Sequence, residues 1–158
     1  MELTEYLKSK DFLLFQDEAL RNEACKAVQH YLKKAQRPAE KAQLYSIPSV
    51  IRAGGRATLE KLAKNQAEKN TKLENKAFWQ FLLDLLFNLE PPDFALRHFL
   101  RQHLSNLGFL ESETAQGLTK PEQRQIRKAN RAKVDLVMDS LLAVYFEHFN
   151  CHYFYRLQ

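Results

Sequence analysis

Apolar side chains recur at helical spacing along most of this sequence. Leu20 and Ala24 begin one such run, and Asp17 stands just before it, where a helix N-terminus favours negative charge. Residues 76–89 are apolar on nearly every side, which is typical of a helix at the centre of a bundle, whereas residues 69–76 lack any apolar period and are expected to form a loop. The pattern predicts an all-α fold, with helices near residues 20–36, 48–65, 76–89, 93–107 and 120–150.

Glycine and proline mark where these helices end or bend. Pro38 disfavours helical geometry at the residue before it, so the first helix should stop ahead of it. Gly54 and Gly55 fall inside the second helix, where each costs about 1 kcal/mol relative to Ala. They indicate either a break between two short helices or a close approach by a neighbouring helix or a ligand. Gly108 is placed to terminate the helix for which Asp93 is the expected N-cap.

The clearest helix start in the chain is a capping box. Thr119 is the expected N-cap, Glu122 follows three residues later, and Pro121 falls in the first turn, where its missing N–H is harmless. No helix breaker follows. A helix of about 30 residues and about 45 Å is therefore predicted from Lys120 to about Asn150, and we expect it to organise the fold.

The chain length and composition fit a single domain. A chain of 158 residues and 18.5 kDa is enough for one domain, and four glycines and five prolines are too few for the frequent turns of a β-sandwich or barrel. We expect one helical-bundle domain of about five helices over residues 1–158, with a long C-terminal helix. Residues 1–16 are expected to form a short helix or an N-terminal arm.

The N-terminus lacks the features of a secretory signal, and the longest apolar run, residues 78–89, is shorter than the roughly 20 residues that cross a bilayer. Cys25 and Cys151 are far apart in sequence and belong to no CxxC motif. They are expected to be reduced, buried thiols of a cytoplasmic protein that has no membrane partner.

The net charge of +5 conceals a strong separation of charge along the chain. Residues 26–72 carry eleven basic and three acidic side chains, and residues 120–133 carry six basic and one acidic. Acidic residues predominate in the remaining segments. This asymmetry favours a polyanionic partner over the alternative that the cations serve solubility alone.

The second basic segment places its cations on one side of the predicted last helix. At about 100° per residue, five of them share an arc of about 100°, and Ile126 lies on the opposite side, where it can dock the helix. Cations near a helix N-terminus are mildly unfavourable until an anion binds. The candidate nucleic-acid-binding residues in this segment are Lys120, Arg124, Arg127, Lys128 and Arg131.

The first basic segment supplies the remaining candidates. Arg52 and Arg56 lie one turn apart beside the glycine pair, where a nucleic-acid backbone has room to approach. Cations without regularly placed base-reading side chains are suited to phosphates. The other candidate nucleic-acid-binding residues in this segment are Lys33, Lys34, Arg37, Lys61 and Lys64.

The sequence contains no catalytic or cofactor motif of the GxxxxGK[ST], GxGxxG, GxSxG or HExxH type. His148 and His152 are four residues apart, but no further ligands have matching spacing, so core or surface histidines are favoured over a metal site. Asp135 and Asp139 would suit Mg²⁺ in a nuclease, but we expect them to pair with Arg131 or with cations of other helices. We therefore predict no enzyme, no cofactor and no metal site.

Two segments resemble the small-subunit family of CRISPR effector complexes, the helical-bundle subunits of Cascade-type and type III assemblies. LYSIPSVIRAGGRATLEKLAKN, residues 44–65, is similar to a stretch of type III small subunits in which an apolar-Pro-x-apolar-Ile run precedes a Gly and a Leu-rich helix. TKPEQRQIRKANRAK, residues 119–133, adds a weaker similarity. Together they cover about a quarter of the chain, which departs from the pattern in the aromatic segment CHYFYRLQ, residues 151–158.

The resemblance implies a non-catalytic subunit, present in more than one copy beside other subunits of a ribonucleoprotein complex. Its cations would contact phosphates of the guide RNA–target DNA duplex or of the displaced single strand. A separately made C-terminal piece of a large subunit is equally compatible. Two alternatives remain: a helical adaptor that binds protein through its apolar surface, and a helix-turn-helix DNA-binding regulator that uses Gln123, Gln125 and Asn130 to read bases.

Overall fold

The computed structural model describes residues 1–87 and 96–157, and within them every regular element is helical. Five helices exceed ten residues, and the longest lies at the C-terminal end, so the predicted all-α fold is confirmed. A π-helical turn, Phe15–Leu20, joins the second and third helices. The helices are α1 (Leu3–Tyr6), α2 (Lys10–Leu14), α3 (Arg21–Lys34), α4 (Ile47–Lys69), α5 (Leu73–Phe87), α6 (Leu96–Asn106) and α7 (Lys120–Arg156).

The N-terminal residues form two short helices packed on the bundle. Ser9 caps α2, because its hydroxyl accepts a hydrogen bond of 3.2 Å from the main-chain N–H of Phe12. The helical path continues from α2 into α3, so the predicted start near Asp17 is wrong. Burial explains the difference: Phe12 and Phe15 are buried, and the Phe15 ring stacks on His103 of α6 with 3.9 Å between ring centroids.

Helix α4 is broken sharply at Gly55, where φ is 72° and ψ is −165°. A straight helix of this length would span about 34 Å. Asn70, just after α4, nevertheless places its Nδ2 3.3 Å from Oε1 of Gln43, just before α4. The chain therefore folds back at Gly55, so of the two alternatives for the glycine pair the break is the one that the structure shows. A Cβ added to Gly54 would collide first with the side chain of Thr58 in the same helix, so the crowding there is local.

We expect Gly55→Ala to lower the free energy of unfolding by about 1–3 kcal/mol, because an L-residue is strained at this φ and ψ. An added Cβ at Gly55 meets no atom within 4 Å, so the backbone alone sets the cost. Urea unfolding followed by circular dichroism measures it. The direction of the change in stability tests the break, because in a continuous helix Gly55→Ala would instead raise the free energy of unfolding by about 1 kcal/mol. Ala53→Gly, the reverse exchange two residues earlier, is the control and should cost about 1 kcal/mol.

Helix α5 begins at Leu73, inside the segment predicted to be a loop. The buried amide of Asn75 accounts for this early start. Its Oδ1 accepts a hydrogen bond of 3.1 Å from the Glu40 main-chain N–H, and its Nδ2 donates one of 3.0 Å to the Glu40 carboxylate. A polar contact of this kind leaves no apolar period in the sequence, so the loop prediction is wrong from Leu73 onward.

Two predictions concern the ends of the helix that contains α6. The expected N-cap Asp93 lies within residues 88–95, outside the described residues. Gly108 follows α6 with a φ of 79°, and the Phe109 main-chain N–H donates a hydrogen bond of 2.9 Å to the Leu104 carbonyl. A hydrogen bond of this kind closes a helix end when the residue before it has a positive φ, which glycine adopts readily, so the predicted termination at Gly108 is confirmed.

Helix α7 has 37 residues, a length of about 55 Å, and packs against α3, α4 and α6. Thr119 caps it as predicted: its Oγ1 accepts a hydrogen bond of 3.3 Å from the Glu122 main-chain N–H and donates one of 2.9 Å to the Glu122 carboxylate. The predicted end near Asn150 is wrong, because the helix continues to Arg156. Tyr153, in this last part, is fully buried and makes the aromatic segment a part of the core.

Within the described ranges, no helix combines the length and the apolar character that a membrane span requires.

Both cysteines are free thiols, but the expectation that both are buried is wrong. Cys151 is exposed because it lies on the side of α7 opposite Phe149 and Tyr153. Cys25 is half-buried, and burial raises the pKa of its thiol.

Candidate nucleic-acid interface

The first turns of α7 carry an exposed line of positive charge. We call Lys120, Arg124, Arg127, Lys128 and Arg131 the basic ridge, and all five are exposed. Arg127 is the one ridge residue with a carboxylate partner among the described residues, its Nε lying 3.6 Å from an oxygen of Glu113. The other four have no hydrogen bond or ion pair to the described part of the chain. Four of the five ridge cations are therefore exposed without a carboxylate partner among the described residues.

The connection between α6 and α7 packs along another side of the same stretch of α7. Asn130 is buried and donates a hydrogen bond of 3.0 Å from its Nδ2 to the Glu111 carbonyl. Lys133 donates one of 3.0 Å from its Nζ to the Phe109 carbonyl. Ile126 is half-buried, in keeping with its expected docking role. These contacts hold the start of α7 in place while the ridge stays open.

The basic ridge continues the side of α7 that is buried farther along the helix. At about 100° per residue, Met138, Tyr145 and Phe149 lie on the same side as Arg124. All three are fully buried. The ridge therefore lies at the N-terminal end of α7, on the side that other helices cover farther along. An anionic strand lying on the ridge would also meet the side chains at that end.

The candidate cations at the end of α3 lie far from the basic ridge. Lys33, Lys34 and Arg37 are exposed, and Arg37 Nη1 lies 4.0 Å from the Glu74 carboxylate. The Tyr31 ring, on the same turn of α3, lies 6.0 Å from the Tyr153 ring near the C-terminal end of α7. Because Tyr153 and Arg131 are separated by about 33 Å along α7, these three cations do not form one surface with the ridge.

Lys61 and Lys64 border an open groove of about 550 Å³ between the two arms of α4. Val50 contributes from the first arm and Leu62 from the second. Both lysines are exposed, and Lys64 Nζ lies 3.0 Å from the Glu60 carboxylate one turn earlier. The fold-back at Gly55 creates this groove, which the apolar pattern of the sequence does not indicate.

Arg52 and Arg56 are both ion-paired to α7. Arg52 pairs with Glu147, and Arg56 Nη1 lies 2.6 Å from Asp135 Oδ1. Burial alone would lower the pKa of Arg56, but the hydrogen bond and the negative charge of Asp135 outweigh it and raise that pKa. These pairs brace the break in α4 against α7, so both candidate side chains already have partners within the chain. Sequence spacing could not reveal these acids, which lie 95 and 79 positions away from their arginines.

Arg97 of α6 joins the same acidic group, and nothing in its sequence spacing points to it. Its Nη2 lies 3.0 Å from Asp135 Oδ1, the oxygen that accepts a hydrogen bond from Arg56. Its side chain is 18% exposed, and its Nε is buried with no hydrogen-bond partner among the described residues. Burial lowers the pKa of Arg97; Asp135 opposes this shift, while the charges of Arg131 and Arg56 add to it. We call Arg56, Arg97 and Arg131 the arginine cluster.

The two aspartates and the two histidines singled out on α7 contact different parts of the chain. Asp135 and Asp139 face Arg56, with Asp139 Oδ1 3.8 Å from its Nε, so the predicted pairing with cations of other helices is confirmed. His148 Nε2 lies 3.1 Å from the Gln16 carbonyl, whereas His152 Nε2 has no partner in the described ranges. Across those ranges, no three His, Cys, Asp or Glu side chains are grouped to hold a metal ion.

The chain matches no protein-family model, and it has no significant match among curated proteins or solved structures. A function for the chain is therefore inferred from the basic ridge and the arginine cluster.

Proposed function

We propose that this protein is a non-catalytic nucleic-acid-binding subunit that holds the phosphates of a strand along the basic ridge. The observation that carries the proposal is the exposure of five cations on one side of α7, four of them without a carboxylate partner among the described residues. Such cations repel one another and oppose the partial positive charge of the helix N-terminus. A phosphate-bearing strand relieves both effects and releases its own counterions.

In its finer form, the proposal makes the protein a small subunit of an RNA-guided CRISPR effector complex, acting with other subunits and with copies of itself. Residues 44–65 and 119–133, which resemble that family, supply the support. A ridge of cations suits a subunit whose sequence specificity comes from base pairing by a guide RNA, because its own contacts go to phosphates.

Each alternative has one observation that bears on it. The helix-turn-helix regulator loses a base-reading side chain, because Asn130 is buried and bonded to the connection before α7. The protein-binding adaptor is favoured by Leu13 and Leu14, neighbouring apolar side chains that are 58% and 57% exposed. Binding of a single strand without sequence preference would distinguish the proposal from both alternatives.

We expect the purified protein to bind a fluorescent 15-nucleotide oligo(dT) with little preference over oligo(rU) or mixed sequences. Four or five phosphate contacts to a single strand predict a slope of log K against log[salt] of about −3, or about a 60-fold loss of affinity between 50 and 200 mM NaCl. Fluorescence anisotropy measures both quantities. Absence of binding at 50 mM NaCl would favour the adaptor, and preference for one duplex sequence would favour the regulator.

A further inference from the structure

The arginine cluster holds more positive charge than its carboxylates neutralise. A single oxygen, Asp135 Oδ1, accepts a hydrogen bond from Arg56 and is also ion-paired with Arg97, whose Nη2 lies 3.0 Å away. Asp139 is half-exposed and reaches Arg56 at 3.8 Å, beyond hydrogen-bond distance. Arg131 has no ion pair to the described residues, although its charge acts on Arg97. Among the described residues, three guanidinium groups thus face two ion-paired carboxylates, while Glu60, which pairs with Lys64, also acts on Arg56. Most of the N–H donors of the cluster are unused within this part of the molecule.

The cluster also lies at the end of the basic ridge. Arg131 is the last ridge cation, and Asp135 follows it one turn later on the same side of α7. A strand that follows the ridge toward the bundle therefore arrives at Arg97, which comes from a different helix. Arginine is suited to this position because its planar fork of donors matches the oxygens of a phosphate group.

We propose that Arg97, Arg131 and Arg56 form a seat for one phosphate group, which anchors a bound strand at the inner end of the basic ridge. The identification of that phosphate as part of a nucleic acid rests on the proposed function, whereas the anion seat itself does not. Ridge contacts are interchangeable along the helix, but the seat fixes the register of one phosphate, because two of its three arginines are held by Asp135 before any ligand arrives.

The first test observes the Arg97 guanidinium directly in the full-length protein. In ¹H–¹⁵N spectra, the Nε–H resonance of Arg97, assigned by its loss in Arg97→Lys, should shift saturably as sodium phosphate replaces sodium chloride at constant ionic strength. Arg21, exposed on α3 and without an ion pair in the described ranges, supplies the control resonance, which should not shift. A saturable shift of Arg97 supports the seat, and an unchanged Arg97 resonance overturns it.

The second test separates a phosphate seat from a purely structural ion-pair network. Asp139→Asn removes a carboxylate that competes for the cluster, so oligo(dT) should bind about 2- to 5-fold more tightly. Asp17→Asn, at an exposed position near the other end of the sequence, makes the same change in net charge and should leave affinity within twofold. Arg97→Lys keeps the positive charge but lacks the planar guanidinium donors, so it should weaken oligo(dT) binding about 3- to 10-fold. Equal affinities for Asp139→Asn and Asp17→Asn would contradict the seat.

The two proposals fail in different ways. If oligo(dT) binds the wild type with the expected salt dependence but inorganic phosphate leaves the Arg97 resonance unchanged, the seat is wrong and strand binding along the ridge stands. If phosphate shifts Arg97 but no strand binds, the anion seat stands and the proposed function is wrong.

Discussion

Replacing Tyr153 by Ala is expected to lower the free energy of unfolding by about 3–5 kcal/mol, the range for truncating a buried aromatic side chain. Tyr153 is fully buried near the end of α7. Its ring stacks on Phe149 with 6.3 Å between centroids and lies 6.0 Å from the Tyr31 ring. The Ala variant would leave a cavity where α3 and α7 meet, and the surrounding helices can only partly close it.

A polar contact adds to this loss. The Tyr153 hydroxyl donates to the Ala39 carbonyl, and the Ala39 main-chain N–H donates to the Tyr31 hydroxyl at 2.9 Å. The two tyrosines thereby satisfy both main-chain groups of Ala39, which is buried in the connection between α3 and α4. Removing the Tyr153 side chain leaves a buried carbonyl without its partner, which is itself destabilising.

Tyr155→Ala is the matched control for this prediction. Tyr155 lies two residues later on the same helix but is 71% exposed, so its replacement should change stability by about 0.5 kcal/mol or less. Urea unfolding of both variants, followed by circular dichroism, compares them. Similar stabilities for the two variants would contradict the burial of the C-terminal aromatic segment.

The parts of the fold that the sequence predicts depend on local chemistry. The capping box at Thr119 and the glycine stop at Gly108 are short-range features, and the structure confirms both. The end of α7 was missed because Tyr153 and its neighbours are stabilised by α3, which is distant in sequence. The continuous helical path from α2 into α3 was missed for the same reason, since Phe15 is buried against α6.

For the candidate site, too, the sequence predicts the features that depend on local spacing and misses those that depend on distant contacts. Helical spacing alone groups the cations of the basic ridge, and all five are exposed in the structure. Spacing cannot show that Arg56 is engaged by Asp135, nor that Arg97 joins them from α6. Those contacts require the fold-back at Gly55 and the packing of three helices, which no local pattern encodes.

The second large effect is expected from reversing charge on the basic ridge. Lys120, Arg124 and Lys128 are exposed and have no ion pair to the described residues, so Glu at these positions breaks no described contact. Glu and Lys have similar helix propensities, and Lys120→Glu puts a favourable charge in the first turn. The triple variant should therefore keep the helical circular dichroism signal and stability of the wild type.

Its matched control reverses three exposed lysines elsewhere. Lys8, Lys10 and Lys69 also have no ion pair to the described residues, and replacing them with Glu makes the same change in net charge. If only total charge governs binding, the two triple variants will lose affinity equally. If the ridge is the binding surface, the variants will differ widely, because electrostatic contacts are screened within about 10 Å at 0.1 M salt.

Strand binding along the basic ridge is tested most sharply by the salt dependence of oligo(dT) affinity for the wild type and these two triple variants. If the strand lies on the ridge, Lys120→Glu/Arg124→Glu/Lys128→Glu weakens binding about 100-fold at 50 mM NaCl and makes the slope of log K against log[salt] shallower by about 2. Lys8→Glu/Lys10→Glu/Lys69→Glu stays within about threefold of the wild-type affinity. Wild-type affinity and slope in the ridge variant, or equal losses in both variants, would contradict strand binding along the ridge.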